Sequence, residues 1–167
     1  MTEDTPSDVA AREIYALIGD IASGWSHIEQ SVDTTIWWLA ATDARYGACV
    51  TAQIQSLRYR LLALVALLRL HGVSDGLVTE VNVFSNNADK VARKRNRVIH
   101  DPISIEASGE VSAITITADR KLAYGLFGDK QRENTAIGLE VYELLRAYQV
   151  IDTKIVSELS TLPRRPV

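Results

Sequence analysis

The sequence predicts a mainly α protein: an antiparallel helical bundle of about four long helices, with a small antiparallel β-meander inserted before the last helix. Three observations predict it. Apolar residues recur at alternating steps of three and four in three successive segments between residues 14 and 98. The pair Asp101-Pro102 then interrupts the pattern, because the residue before proline is pushed towards extended backbone. From residue 103 the period drops to two, and the helical spacing returns at Ile137.

Each element follows from local chemistry. Thr5 and Pro6 suit an N-cap and a first helical position, and the first helix carries Ile14, Ile18, Ile21, Trp25, Ile28, Val32, Thr35 and Leu39 on one seam. "ATDARYG" at 41 to 47 reads as a connection. A second helix is expected through Val50, Ile54, Leu57, Leu61, Leu64 and Leu68, ending at His71-Gly72. Ser74 caps a third, whose seam is Leu77, Val81, Phe84, Ala88, Val91, Arg95 and Val98. "ISIE" at 103 to 106, "VSAITIT" at 111 to 117 and "KLAYGLF" at 121 to 127 form the meander, with turns at Ser108-Gly109 and near Asp119-Arg120. "GDKQREN" reads as a loop, and the last helix carries Ile137, Val141, Leu144, Tyr148, Ile151 and Ile155. The whole of 1–167 is expected to be a single helical domain, with 1–7 and 162–167 flexible.

Composition narrows the function. A hydrophobic share of 47% with 23% charged residues is that of a packed globular chain. The formal net charge of −3 argues against coating nucleic acid through the overall field, so any such contact must be local. Cys49 stands alone and cannot form an internal disulfide, and no cationic start leads into an apolar cleavable segment; the cytoplasm is the expected compartment. "LLALVALLRL" at 61 to 70 is too short to cross a bilayer and reads as a core helix, so no membrane partner is expected. No metal or cofactor is expected either: His27, His71 and His100 fall on separate helices, and no phosphate-loop or nucleophile-elbow spacing occurs.

Other residues read blandly. Cys49, between Ala48 and Val50, is expected to be packed, Glu29 to be a solvated helix-face carboxylate, and His71 to be a partner of the helix C-terminal dipole. Adjacent Trp37 and Trp38 cannot share one core, so one of them is either an interface anchor or a partly exposed ring covered by the meander.

The end of the third helix, "KRNRVIHD" at 94 to 101, concentrates chemistry. Asn82, Asn86, Asp89, Arg93, Asn96 and His100 form a polar stripe beside the apolar seam. Positive charge from Lys90, Arg93, Lys94, Arg95 and Arg97 suits a helix C-terminus, which accounts for most of the run without any site. Arg95 is the exception, because an arginine in a seam forfeits apolar packing and needs a paired or functional reason. It is five residues from His100, about 140° round an ideal helix, so the two meet through a curled side chain or through a second subunit.

Arg95-Asn96-Arg97-Val98-Ile99-His100 resembles the Arg-Asn-x-x-x-His signature of the HEPN superfamily, helical domains found in toxin and antiphage ribonucleases. The resemblance implies a homodimer that cleaves RNA without metal in a cleft shared by two chains, giving a 2′,3′-cyclic phosphate and a 5′-hydroxyl. Carried onto this chain, His100 is the general acid or base, Arg95 stabilises the scissile phosphate and Asn96 orients one of them. Arg93, Lys94 and Arg97 are the substrate-binding candidates, and an antitoxin or regulatory protein is a further expected partner. Some members carry a tyrosine two places after the histidine, where this chain has Pro102. Others have lost activity, so an inactive HEPN-like dimerisation or binding module is the alternative.

Overall fold

The computed structural model describes residues 4–116 and 122–162, with backbone alone for 114–116 and 122–130. The element order is α1 (Pro6–Leu39), α2 (Ala44–Thr51), α3 (Leu57–His71), α4 (Asp75–His100), β1 (Ile103–Ile105), β2 (Val111–Ile116), β3 (Leu122–Leu126) and α5 (Phe127–Thr161). The mainly α class and the small sheet before the last helix are as expected.

α1 starts where its cap predicts. The Asp8 N–H donates to Thr5 Oγ1 at 3.3 Å, and the Asp8 carboxylate accepts from the Thr5 N–H at 3.0 Å, a reciprocal cap. The Thr5 hydrogen bonds hold the Asp8 carboxyl below its usual range. Along the seam, Ile14, Ile21, Trp25, Ile28, Val32, Thr35 and Leu39 are all buried, each apolar one stabilising by about 1.5–3 kcal/mol relative to exposure.

The expected second helix is two helices. Asp43 Oδ1 accepts from the N–H groups of Arg45 and Tyr46 and starts α2 inside the presumed connection. Ser56 is extended (φ −139°, ψ 152°), which breaks the chain before α3. The cause is Trp37. Its indole lies where a Cβ on Gly47 would be, and its Nε1–H donates to Thr51 Oγ1 at 3.2 Å, fixing α2 by Gly47 and Thr51. The seam therefore has to restart: Val50 is 63% exposed, while Leu57, Leu61, Leu64 and Leu68 are buried. Gly72 closes α3 in the left-handed region (φ 78°).

The meander is a three-stranded antiparallel sheet in the order β1-β2-β3. Ile103 pairs with Ala113 and Ile105 with Val111, and Ile114 pairs with Tyr124 in the second ladder. Gly109 has φ +85°, and a Cβ there would meet the Pro6 carbonyl at 2.9 Å, so both backbone and space require glycine. The turn expected near Asp119-Arg120 lies outside the described residues. "GDKQREN" is helical rather than a loop, because α5 begins at Phe127. Gln131, Arg132 and Glu133, good helix formers, are exposed, with Asn134 buried beneath.

Close contacts divide the chain into two compact units, Met1–Gly24 with Val91–Tyr142 and Trp25–Lys90 with Glu143–Val167. In the first, Gly24 receives Val141 and Gly138 receives Ile21, rungs that advance together, so α1 and α5 run in the same direction there. In the second, Lys154 bonds Glu80 and Tyr148 lies 5.4 Å from Phe84, so α4 and α5 run antiparallel. Of the segments expected to be flexible, 1–3 and 163–167 lie outside the described residues, whereas Pro6 and Ser7 are the first residues of α1.

Candidate functional site at the end of α4

The RNxxxH sequence occupies the last turns of α4, the fourth helix rather than the third because α2 intervenes. Val91 and Val98 anchor this end in the core of their unit. Arg95 shares their seam and is half-buried. Its Nη1–H donates to Asn96 Oδ1 at 3.0 Å. The structure thus brings Arg95 and Asn96 together.

Asn96 and His100 are exposed one turn apart, as are Asn82, Asn86 and Arg93 on the same stripe, with Asp89 half-buried. Among the described residues the His100 imidazole has no hydrogen-bond or ion-pair partner, Arg95 included.

The flanking cations separate. Lys94 Nζ donates to both carboxylate oxygens of Glu140 on α5, at 2.5 and 2.8 Å. Lys94 and Arg97 also border a cavity of about 20 Å³, lined by Ile14, Val98, Ile103, Val111, Ala113, Asp101, Glu133 and Asn134. That is room for about one water and not for a nucleotide. The reachable surface is the exposed end of α4. Sequence reading passed over Glu140, Glu133 and Asn134; the signal for Asn134 was its place one step of three before Ile137 on the α5 seam.

The remaining singled-out residues have defined roles. Glu29 accepts from the Trp25 indole at 3.1 Å instead of being a purely solvated carboxylate. A ring nitrogen of His71 bonds the Leu39 carbonyl at 2.8 Å. Cys49 is exposed, not packed, because α2 turns Gly47 and Thr51 inward. Of the tryptophan pair, Trp37 is seated on α2 and Trp38 is 52% exposed, bordering a groove of about 590 Å³ with Thr34, Asp152 and Val156.

In the same unit, Arg60 Nη1–H donates to Asp33 Oδ2 at 2.9 Å. Burial pushes the Asp33 carboxyl up, against the pull of the Arg60 guanidinium. The buried Tyr148 hydroxyl donates to Thr35 Oγ1, and its burial likewise raises the phenol above its ordinary range. Among the described residues, no three His, Cys, Asp or Glu side chains form a group able to hold a metal ion, and no helix is long and apolar enough to cross a membrane.

Comparison with known proteins yields no matching family model, no matching curated protein and no matching solved structure.

Proposed function

We propose that this chain is a metal-independent endoribonuclease of HEPN type, of the toxin or antiphage-effector kind, acting as a cytoplasmic homodimer. The observation that carries the reading is the exposed imidazole of His100, unengaged among the described residues, one turn beyond an asparagine that holds the seam arginine. His100 accepts the proton of the ribose 2′-hydroxyl as its oxygen attacks phosphorus, or delivers a proton to the departing 5′-oxygen. The new O2′–P bond forms as P–O5′ breaks, leaving a 2′,3′-cyclic phosphate and a 5′-hydroxyl. Arg95 offers a planar, permanently charged fork to the phosphate oxygens, where negative charge builds. Asn96 supports that guanidinium, a positioning role consistent with its hydrogen bond. Arg93 and Arg97 are the candidates for the flanking phosphates, and Lys94, paired with Glu140, must release that carboxylate to join them.

Since 140° of helix separates Arg95 from His100, the reading places the arginine of one subunit beside the histidine of the other. This gives a decisive experiment. RNA cleavage in excess chelator is lost in Arg95→Ala and in His100→Ala separately, and mixing the two inactive chains restores about one quarter of wild-type activity, because half the dimers hold one complete site. No cleavage by the wild-type dimer over a broad RNA set refutes the nuclease; cleavage with no recovery on mixing refutes the shared site. The alternative, an inactive helical dimerisation or binding module, draws support from the exposed Trp38 beside its groove. Partner binding that survives His100→Ala, in a chain that cuts no RNA, establishes it.

A further inference from the structure

Residues 44 to 74 contain Arg45, Arg58, Arg60 and Arg69 and no aspartate or glutamate, in a chain whose formal net charge is −3. Within this stretch α3 is apolar on two opposite sides. Leu57, Leu61, Leu64, Val65 and Leu68 are buried. Tyr59 (62% exposed), Leu62 (50%) and Leu70 (65%) face outward with exposed Ala66, at steps of three, four and four. That second stripe runs about 16 Å along the helix within an arc of about 80°. An apolar stripe at helical spacing is ordinarily covered by a packed element.

Charge is distributed unevenly about the stripe. Arg60 turns inward to Asp33. Arg58 and Arg69 are eleven residues apart and fall on one flank, next to Leu62. Both are exposed, Arg58 at 3.7 Å from Asp89.

We propose that the outward face of α3 docks an acidic amphipathic helix of a partner protein, its apolar anchors on Tyr59, Leu62, Ala66 and Leu70 and its carboxylates along the Arg58–Arg69 flank. The spacing of the stripe is that of helix-on-helix recognition, in which anchors recur at three and four. Charge selects the occupant. A second copy docking through the same face brings no carboxylate of its α3 to these arginines. Single-stranded RNA satisfies the arginines but leaves Leu62, Ala66 and Leu70 against a polar backbone. An anionic bilayer favours cations spread round an apolar face, whereas here they lie on one side of a line. The inference is independent of the nuclease reading.

The test uses the full chain and a labelled synthetic helix bearing leucines at steps of three and four with flanking glutamates, read by fluorescence anisotropy. A lysine-for-glutamate version of the peptide is the control. The acidic peptide binds saturably and more weakly as salt rises, Leu62→Glu and, separately, Arg69→Glu each lower affinity roughly tenfold, and the lysine peptide fails to bind. Hydrogen exchange slows in 57–71 on binding, and His100→Ala binds the peptide as wild type does. The proposal is overturned if the two peptides bind alike, if neither binds, or if both variants bind unchanged. It is equally overturned if phosphatidylserine vesicles or an RNA oligomer bind in a Leu62-dependent manner while the acidic peptide does not. Sedimentation showing self-association abolished by Leu62→Glu assigns the face to a second copy instead and also overturns it.

Discussion

Replacing Tyr148 with phenylalanine isolates one hydrogen bond in the middle of a core. Tyr148 is fully buried, its ring is 5.4 Å from Phe84, and its hydroxyl donates to Thr35 Oγ1 at 2.9 Å. Thr35 Oγ1 in turn lies 2.8 Å from Asp152 Oδ1 and 2.9 Å from the Ser31 carbonyl, with one proton to give. Tyr148→Phe keeps the ring and its packing, so the several kcal/mol of a large-to-small change do not arise. Only a donor to Thr35 is lost, and Thr35 keeps its own donated bond, so the cost is about 1–1.5 kcal/mol at neutral pH. For a chain of this length that lowers Tm by roughly 2–6 °C. The pH dependence supplies a second signature. Burial raises the folded-state phenol, so above pH ~10 the unfolded chain gives up its proton first and wild-type stability falls as pH rises. Phenylalanine has no such proton, so the gap between the two proteins narrows above that pH. Chemical denaturation from pH 7 to 11, with Thr35→Val closing a double-mutant cycle, measures both effects. A neutral-pH loss under about 0.3 kcal/mol, or a gap that widens in alkali, refutes the reasoning.

Gly47→Ala drives a methyl group into the Trp37 indole; overpacking of about 1–3 kcal/mol exceeds the helix-propensity gain of about 1 kcal/mol, so Tm falls and tryptophan emission shifts as Trp37 moves. A more stable variant contradicts that contact. The raised Asp33 carboxyl makes the folded chain bind its proton more readily than the unfolded one, so this residue's contribution is full below pH ~3.9 and is lost as pH rises through the folded value. The stability difference, wild type minus Asp33→Asn, therefore slopes downward with rising pH in that window, as denaturant titrations will show; a rising difference refutes it. Arg95→Lys preserves charge but not the planar fork, and RNA cleavage falls at least about tenfold without a change in melting; an unchanged rate removes the phosphate role assigned to the guanidinium.

Periodicity carried much of the fold because each long helix buries one stripe of side chains, and a stripe is a one-dimensional signal. On α1 the seam is buried at Ile14 and from Ile21 to Leu39, with Ile18 half-buried, and on α4 it is buried from Leu77 to Ala88, as that signal requires. It failed where a tertiary contact overrode it. Val50 and Ile54 continue the step of the α3 seam, yet Trp37, remote in sequence, takes the space above Gly47 and forces α2 and α3 apart. The polar opening of α5 misled for a different reason: a solvated helix face and a loop have the same composition, and Asn134, a buried polar residue, looks in sequence like one more loop residue.

The site was legible only as far as one helix could carry it. The i, i+4 relation of Asn96 and His100 and the anomaly of Arg95 in the seam both follow from 3.6 residues per turn, and the Arg95–Asn96 hydrogen bond adds what rotation alone does not supply, since neighbouring residues on a helix do not face each other. The partners of the cations were not legible, because the pairing of Lys94 with Glu140 joins residues on two helices separated by the entire meander. That pairing bears on function in a definite way. A lysine held by both oxygens of a carboxylate must give up those bonds to take a phosphate, while among the described residues the side chains of Arg97 and His100 have none to give up, so these two are committed to an incoming ligand more readily than Lys94.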